Sequence, residues 1–253
     1  YTTLFRSQWI HRRLREVTGV VDPYRAAKQR FNELALAALP ELRTSVQRAQ
    51  DPLLAAAEFA VAANAIDMGV AAAFTEAEVH AALRGPASQV LHRRWSYFLV
   101  AVKCARRILY LADNAGEIAV DRLVVEQLGP ERVTVAVRGT PVLNDAVMED
   151  AVQVGMTELA RVIDNGSDAP GTLLEDCSSE FREQFCSADL IISKGQGNFE
   201  SLSWARDNVA FWFKVKCPVV AAQASLTVGS HALLPPTGLL EGTGGTGGGA
   251  TGA

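Results

Sequence analysis

The second half of the chain alternates short apolar runs with segments of helical spacing, and no other feature constrains the fold as strongly. The first run, Ile108–Ala112, has the pattern of a strand buried on both faces. Residues 118–128 follow it with apolar side chains at near-helical spacing. The later strand candidates are residues 132–138, 161–164, 188–193, 209–215 and 219–220, and helical patterns lie at 146–154 and 173–186. Such alternation predicts an α/β fold with a mostly parallel sheet.

The first 105 residues carry helical patterns only. Proline residues at the expected first-turn positions divide them, and the predicted helices are residues 7–16, 23–39, 40–50, 53–63, 75–83 and 89–104. We therefore expect a helical N-terminal portion over 1–105 and an α/β core over 106–235. The end of the chain, 236–253, is rich in Gly and Thr with little to bury, which predicts a disordered tail.

The composition is that of an ordinary globular protein and gives no reason to expect a nucleic-acid or membrane partner. The chain is 49% hydrophobic with a net charge of −4, and no apolar run approaches the roughly 20 residues of a membrane span. The cysteines form no Cys-x-x-Cys pair, so we expect buried free thiols in a reducing cytoplasm. The first residue is Tyr1, which suggests a fragment that lacks an upstream segment.

A polar cluster follows each of four predicted strands. These clusters are Asp113-Asn114, Asn144-Asp145, Asp164-Asn165 with Asp168, and Lys194 with Asn198. In a parallel sheet the carboxyl ends of the strands face one crevice, so we expect the clusters to converge there. Carboxylate and amide oxygens suit a hard or borderline divalent cation, and a lysine flanked by glycines suits a phosphoryl oxygen.

Simpler interpretations remain open for the individual motifs. Asp113 has the residue type of a helix cap, and Lys194 has the position of a solvated turn that contributes little to a core. Asn64 and Asp67 lie three residues apart near the end of an Ala-rich helix, where they form either part of a site or a helix-terminal hydrogen-bond network.

Six motifs in this order resemble the DUF89 family of metal-dependent damage-control phosphatases, in its stand-alone prokaryotic branch. They are Asn64-Ala-Ile-Asp67, Asp113-Asn-Ala-Gly-Glu117, Pro141-Val-Leu-Asn-Asp145, Asp164-Asn-Gly-Ser-Asp168, Lys194-Gly-Gln-Gly-Asn198 and Lys216-Cys-Pro-Val219. The resemblance covers roughly residues 10–235 and implies a three-layer α/β/α Rossmann-like core with a helical N-terminal portion. One departure is Ala63, which stands where the family usually has Gly.

The resemblance also implies roles for individual residues. The metal ligands would be Asp113, Asn114 and Asp145, and the cation would be Mg²⁺, Mn²⁺, Co²⁺ or Ni²⁺. Lys194 would contact the substrate phosphate, and Asp168 or Asp67 would be the general base or would position water. The remaining substrate-binding candidates are Asn64, Glu117, Asn198, Gly195 and Gly197.

These expectations together predict a metal-dependent hydrolase of phosphomonoesters of small, possibly damaged metabolites such as sugar phosphates. A haloacid-dehalogenase phosphatase would need Asp-x-Asp after the first strand, where the chain has Asp113-Asn-Ala115. A carboxyl methyltransferase would need a Gly-rich adenosyl-binding turn there, which is also missing. A module that binds a phosphorylated metabolite without hydrolysing it stays open, and the sequence predicts no oligomeric state.

Overall fold

The computed structural model describes residues 2–64 and 89–239, and six strands of this part of the chain form one sheet. The strands are β1 (Ile108–Leu111), β2 (Val133–Val137), β3 (Arg161–Asp164), β4 (Leu190–Lys194), β5 (Val209–Lys214) and β6 (His231–Leu234). Their spatial order is β3-β2-β1-β4-β5-β6. The first five are parallel to one another, and β6 is antiparallel to β5. The predicted mostly parallel sheet is confirmed.

Helices precede the sheet and connect its strands. In chain order they are α1 (Thr2–Thr18), α2 (Arg25–Arg48), α3 (Pro52–Ala63), α4 (Gln89–Cys104), α5 (Glu117–Leu128), α6 (Met148–Gln153), α7 (Met156–Leu159), α8 (Ser179–Ser187), α9 (Gln196–Leu202) and α10 (Pro218–Ala224). Asp51 caps α3 by accepting a hydrogen bond from the amide of Leu54, as expected for Asp before Pro at a helix start.

Alternate side chains of the central strands enter two separate cores. Tyr110 of β1 and Trp212 of β5 pack beneath α2 to α7. Leu109 of β1 lies on the opposite face, where Phe181 of α8 and Phe199 of α9 cover the sheet. Because successive strand residues point to opposite faces, a continuous apolar run buries both. The molecule is therefore a three-layer α/β/α structure, as predicted.

Three local predictions were wrong, and one strand was missed. Pro40 lies inside α2 and does not begin a new helix, since buried side chains such as Leu39 and Leu42 hold the helix together across it. Residues 174–176 form a short 3₁₀ turn, and α8 begins only after its cap residue Ser178. The segment with Val219 and Val220 is α10, with Pro218 in its first turn, and not strand. Strand β6 was not predicted at all.

Other expectations are only partly addressed by the described residues. The predicted helix 75–83, Asp67 and residues 240–253 of the predicted tail lie outside them. Among the cysteines only Cys177 is buried; Cys104 and Cys186 are exposed, so the expectation of buried thiols was wrong for these two. Within residues 2–64 and 89–239, no helix combines the length and apolarity that crossing a membrane requires.

Candidate functional site

The strand order places the crevice between β1 and β4. The chain leaves β1 toward β2 on one side, while β4 and β5 continue the sheet on the other, and ligands of open α/β sheets bind at such a switch point. Asp113 follows β1, and Gly195 follows β4. Gly195 has a φ of +81°, and a Cβ there would lie 2.1 Å from Oδ2 of Asp113. Only glycine allows this close approach of the two strand ends.

Asp113, Asn114 and Asp145 lie together at this edge of the sheet. Asn114 and Asp145 form an isolated antiparallel bridge, and the amide of Ala146 donates to the carbonyl oxygen of Asp113 at 2.8 Å. Nδ2 of Asn114 donates to Oδ2 of Asp113 at 2.7 Å and to Oε2 of Glu117 at 3.0 Å. Among the described residues, no hydrogen bond reaches Oδ1 of Asp113, Asn114 or Asp145. Oδ1 of Asp113 is ion-paired with Nη2 of Arg138 at 4.0 Å, which still leaves each of the three oxygens able to accept from or bind a ligand.

The electrostatics of this group favour a cation. Burial raises the pKa of Asp113 to about 7, and the charges of Asp145 and Glu117 add to the effect against Arg138 and Lys216. Burial also raises the pKa of the Asp145 carboxyl, against the opposing charge of Arg138. Buried carboxylates with too few positive partners are the setting in which a metal ion lowers the free energy.

The donor set fits a hard divalent cation. Two carboxylates and one amide offer only oxygen, which Mg²⁺ and Mn²⁺ prefer. Within the described part of the chain, no group of three or more His, Cys, Asp or Glu side chains is placed to hold a metal. Three protein oxygens are fewer than the roughly six that these ions take, so a cation held by Asp113, Asn114 and Asp145 would need further oxygen ligands, such as water or substrate.

Asn64 connects the end of α3 to this group. Its Nδ2 donates to Oδ2 of Asp113 and to Oε2 of Glu117, both at 2.9 Å. Its Oδ1 accepts from the backbone amide of Lys214 at 3.1 Å. Asn64 is buried, so its amide fixes two carboxylates of the site and joins α3 to β5.

Lys194 belongs to a fully buried group that we call the inner cluster: Lys194, Glu117 and Asp121. Nζ of Lys194 donates to Oε1 of Glu117, to Oδ1 of Asp121 at 2.7 Å and to the carbonyl oxygen of Ala60 at 3.1 Å. The hydroxyl of Tyr110 also donates to Oδ1 of Asp121, at 2.7 Å. Burial opposes the ammonium charge, but Asp121 and Glu117 outweigh it and raise the Lys194 pKa.

This placement changes the interpretation of Lys194. The solvated-turn alternative was wrong, and so was the expectation that this lysine contributes little to the core, because its side chain is 0% exposed. The three N–H donors of an ammonium group already have three acceptors. Glu117 in turn accepts from the amides of Asn64 and Asn114. The contact of Lys194 with a phosphate stays a prediction.

Arg138, which follows β2, was missed by the sequence reasoning. It is buried, and its Nε donates to Oδ2 of Asp145 at 2.6 Å. Its Nη2 donates to Oδ1 of Asn198 at 3.1 Å. Nδ2 of Asn198 donates to the carbonyl oxygen of Lys194, so Arg138 links the ends of β2 and β4. A charged residue ending the apolar run 133–137 was the available signal.

Asp168 belongs to a second group, which we call the outer cluster: Asp168, Gln8, Arg12 and Arg15. Oδ1 of Asp168 accepts from Nε2 of Gln8 at 2.7 Å and from Nη2 of Arg12 at 2.6 Å, and Oδ2 is ion-paired with Arg15. Burial would raise the pKa of Asp168, but these hydrogen bonds outweigh it and lower it to about 2. A carboxylate of such low basicity is a weak general base at neutral pH.

The third predicted cluster does not enter the crevice as a unit. Asp164 is exposed and accepts from the amide of Gly166 at 2.9 Å, which is a local turn. Asn165 is buried and accepts from the amide of Gly139 at 3.0 Å. These two residues shape the loop between β3 and Asp168, so the expected convergence of all four clusters was wrong for this one.

One further glycine and one lysine complete the surroundings. A Cβ at Gly197 would lie 2.4 Å from the carbonyl oxygen of Pro170, so this position tolerates no side chain without movement. Lys216 is exposed, and its positive charge lowers the pKa of Asp113, which places its ammonium within electrostatic reach of the metal candidates. The motif that contains Lys216 is recognisable in the sequence, but no role was predicted for the residue.

Comparison with known proteins identifies the family. A model of the "Damage-control phosphatase ARMT1-like domain" matches residues 2–231. The chain belongs to this family. An uncharacterized protein of Methanocaldococcus jannaschii is 36% identical over 239 residues, which cover 89% of this chain and 77% of the relative. A damage-control phosphatase of Archaeoglobus fulgidus is 33% identical over 225 residues, 87% of this chain and 78% of the relative.

A solved structure shows the same fold. The crystal structure of a DUF89 family protein from Pyrococcus horikoshii aligns with a TM-score of 0.77 at 30% identity and covers 90% of this chain and 80% of that chain. The resemblance to the DUF89 family and the Rossmann-like three-layer fold are therefore confirmed. The ARMT1-like family model spans both the helical N-terminal portion and the sheet, so the candidate site is built by residues that lie inside the matched region.

Proposed function

We propose that the chain is a metal-dependent phosphatase that hydrolyses phosphomonoesters of small, damaged metabolites such as sugar phosphates. Relatives named damage-control phosphatase support the reaction class. The observation that carries the metal dependence is that the Oδ1 atoms of Asp113, Asn114 and Asp145 lie together and accept no hydrogen bond from the described residues. Burial raises the pKa of the Asp113 carboxyl in this set to about 7, although Arg138 lies 4.0 Å from its Oδ1. Mg²⁺, Mn²⁺, Co²⁺ or Ni²⁺ suits these donors.

A bound divalent cation would polarise a phosphoryl oxygen and lower the pKa of an attacking water. The residues of the chain orient the donors around it. Asn64 and Glu117 hold the carboxylate of Asp113 and the amide of Asn114 in place. Arg138 holds Oδ2 of Asp145, and no hydrogen bond from the described residues engages its Oδ1. Donors fixed before the substrate arrives need no reorganisation during the reaction.

The phosphoryl group needs positive charge besides the metal. Lys216 has an exposed ammonium whose charge reaches Asp113, so we assign it the contact with phosphate oxygens. Lys194 stabilises the same site from its buried side, because it is bonded to Glu117. Direct contact between Lys194 and the phosphate would require the loss of one of its present hydrogen bonds.

Chelation tests the proposal. Release of phosphate from p-nitrophenyl phosphate should stop in excess EDTA and return when Mg²⁺, Mn²⁺ or Co²⁺ is added in excess, because oxygen donors bind these ions reversibly. Full activity in EDTA would contradict the metal mechanism. Binding of a sugar phosphate without phosphate release, with any of these metals present, would instead indicate the non-catalytic module.

A further inference from the structure

A cavity of about 180 Å³ lies beside the candidate site, between α1, the connection from α1 to α2 and the loop that leads to Asp145. The side chains that matter for the argument are His11, Leu14, Tyr24, Pro141, Val142 and Leu143. A cavity of ~150 Å³ accommodates a benzene molecule. This cavity therefore has the size of one six-membered ring.

The loop that forms one wall also carries a metal candidate. The amide of Asp145 donates to the carbonyl oxygen of Val142 at 3.1 Å, so the wall and Asp145 share one tight turn. Leu143 lies within that turn at a φ of +48°. A non-glycine residue in this region is strained by ~1 kcal/mol or more, and such strain persists where the surroundings enforce it, often at binding sites.

Helix α1 is attached to the same loop. Nη1 of Arg15 donates to the carbonyl oxygen of Pro141 at 2.9 Å, and its other terminal nitrogen is paired with Asp168. His11 lies one turn earlier on α1, where the charges of both Asp145 and Asp168 act on it. The cavity is therefore held in a fixed position relative to Asp145.

The lining of the cavity determines what kind of group it takes. Leu14, Tyr24 and Pro141 offer apolar surface. Burial, and next the charge of Arg15, lower the pKa of His11, which favours the neutral ring with one donor and one acceptor. Among the described residues, no hydrogen bond to the His11 ring is formed by any partner. One polar contact remains available in a mostly apolar pocket.

We propose that this cavity is the subsite for the organic part of the phosphomonoester. It takes a ring-sized group that places an apolar face against Leu14 and Pro141 and one hydroxyl against His11. The inference rests on the proposed function, since it assumes a phosphoryl group at Asp113 and Asp145. The turn that joins Asp145 to Val142 connects the two places, since Val142 lines the cavity and Asp145 is a metal candidate.

Two variants test the subsite with a matched control on the same helix. Leu14→Trp fills the cavity, and His11→Ala removes its polar contact; both side chains are partly exposed, so neither change disturbs the core. Val17→Trp adds the same bulk at a position that is 70% exposed and outside the cavity. The substrates are phenyl phosphate and glucose 6-phosphate, which carry a ring, and methyl phosphate, which carries none.

Leu14→Trp should lower kcat/KM at least fivefold for both ring substrates, mainly through KM, and less than twofold for methyl phosphate. His11→Ala should do the same for glucose 6-phosphate, whose hydroxyls it would bind, and should change methyl phosphate little. Val17→Trp should leave all three substrates unchanged. Equal losses on ring and ringless substrates, or no loss on either, would overturn the subsite and leave the proposed function standing.

An inactive parent protein would refute the proposed function and not the subsite. In that case the subsite is tested by calorimetry. The binding of phenylphosphonate, which is not hydrolysed, is measured with Mn²⁺ present. Binding that Leu14→Trp weakens at least fivefold, and Val17→Trp does not, supports the subsite. Binding that is the same in all three proteins, or undetectable in the parent, overturns it.

Discussion

The inner and outer clusters both pair acids with bases, but their surroundings differ. In the inner cluster the side chains of Lys194, Glu117 and Asp121 are at most 1% exposed. In the outer cluster Arg12 is 49% exposed, although Asp168 itself is 8% exposed. A charge without its partner is far less stable in the first setting than in the second, because water replaces a lost partner only at the surface.

The two clusters also join different parts of the molecule. The inner cluster ties α3 and α5 to the end of β4, directly beneath the metal candidates, because Nζ of Lys194 reaches Ala60, Glu117 and Asp121. The outer cluster ties α1 to the loop after β3. We infer that the inner cluster fixes the geometry of the site, whereas the outer cluster fixes the position of a helix beside it.

The largest effect should come from Lys194→Ala. The change leaves Glu117 and Asp121 buried without their cation, which typically destabilises a protein by roughly 3–5 kcal/mol. Urea unfolding followed by circular dichroism should therefore show a much lower midpoint. The matched control is Arg107→Ala, because the Arg107–Asp189 pair is exposed and its loss should change stability by less than about 1 kcal/mol.

A Lys194→Ala protein as stable as the Arg107→Ala protein would show that the inner cluster does not stabilise the fold. If the protein stayed folded and lost only activity, the direct phosphate contact predicted from the sequence would be the better interpretation. The comparison therefore separates a structural lysine from one that touches the substrate.

The second largest effect should come from Asp113→Asn. Asp113 lies on the crevice side of the inner cluster. The change removes one full charge from the metal donors, so phosphatase activity should fall by roughly a hundredfold or more, about 3 kcal/mol in the barrier. Burial raises the pKa of the Asp113 carboxyl to about 7, so a neutral amide is favoured there without metal. The metal-free melting temperature should equal or exceed that of the parent, and added Mn²⁺ should raise it little.

Asp113 also has the residue type of a helix cap, and this prediction distinguishes the two roles. Asn caps a helix about as well as Asp, so a pure cap would tolerate the change. Parent-like activity with a normal thermal response to Mn²⁺ would therefore refute the metal site as drawn. In the structure the N-cap position of α5 is Gly116, so Asp113 does not occupy it.

The strand-end positions of the site were predictable because they follow from local pattern. Asp113 follows one apolar run, and Asp145 ends a motif that follows the next one. A parallel arrangement of the two runs places both residues at the same edge of the sheet, and the structure brings them together. The three-layer fold was predictable for the same reason. Strand β6 was not, because His231–Leu234 is four residues long and shows no alternation.

The partners of charged residues were not predictable. Lys194 is buried only because α3 and α5 pack over the end of β4, a long-range arrangement that a Gly-flanked lysine does not reveal. Asp168 is ion-paired with Arg12, which lies 156 residues away in the sequence. Exposure and charge pairing depend on tertiary packing, so residue type at a strand end identifies candidates and not their roles.

Asp168→Asn should have a smaller effect than either change at the site. It removes the carboxylate that Gln8, Arg12 and Arg15 share, but Arg12 is half exposed and water solvates it after the change. We expect a loss of about 1–2 kcal/mol in urea unfolding and less than a tenfold loss of activity. A hundredfold loss of activity with little change in stability would instead support Asp168 as the general base.

The smallest effect concerns how acid acts on the outer cluster. The pKa of Asp168 is about 2 in the folded protein, below the ordinary value of 3.8, so the ionised form stabilises the fold. That contribution is complete above about pH 5 and is lost as the pH falls below 4 toward 2, because protonation then favours the unfolded chain. It amounts to about 1–2 kcal/mol after allowance for the exposure of Arg12.

The difference in unfolding free energy between the parent and Asp168→Asn should therefore be constant from pH 5 to 7 and shrink at pH 3. A difference that stays the same at pH 3 would mean that the ion pairs of Asp168 do not stabilise the fold and that the asparagine protein loses stability through packing alone.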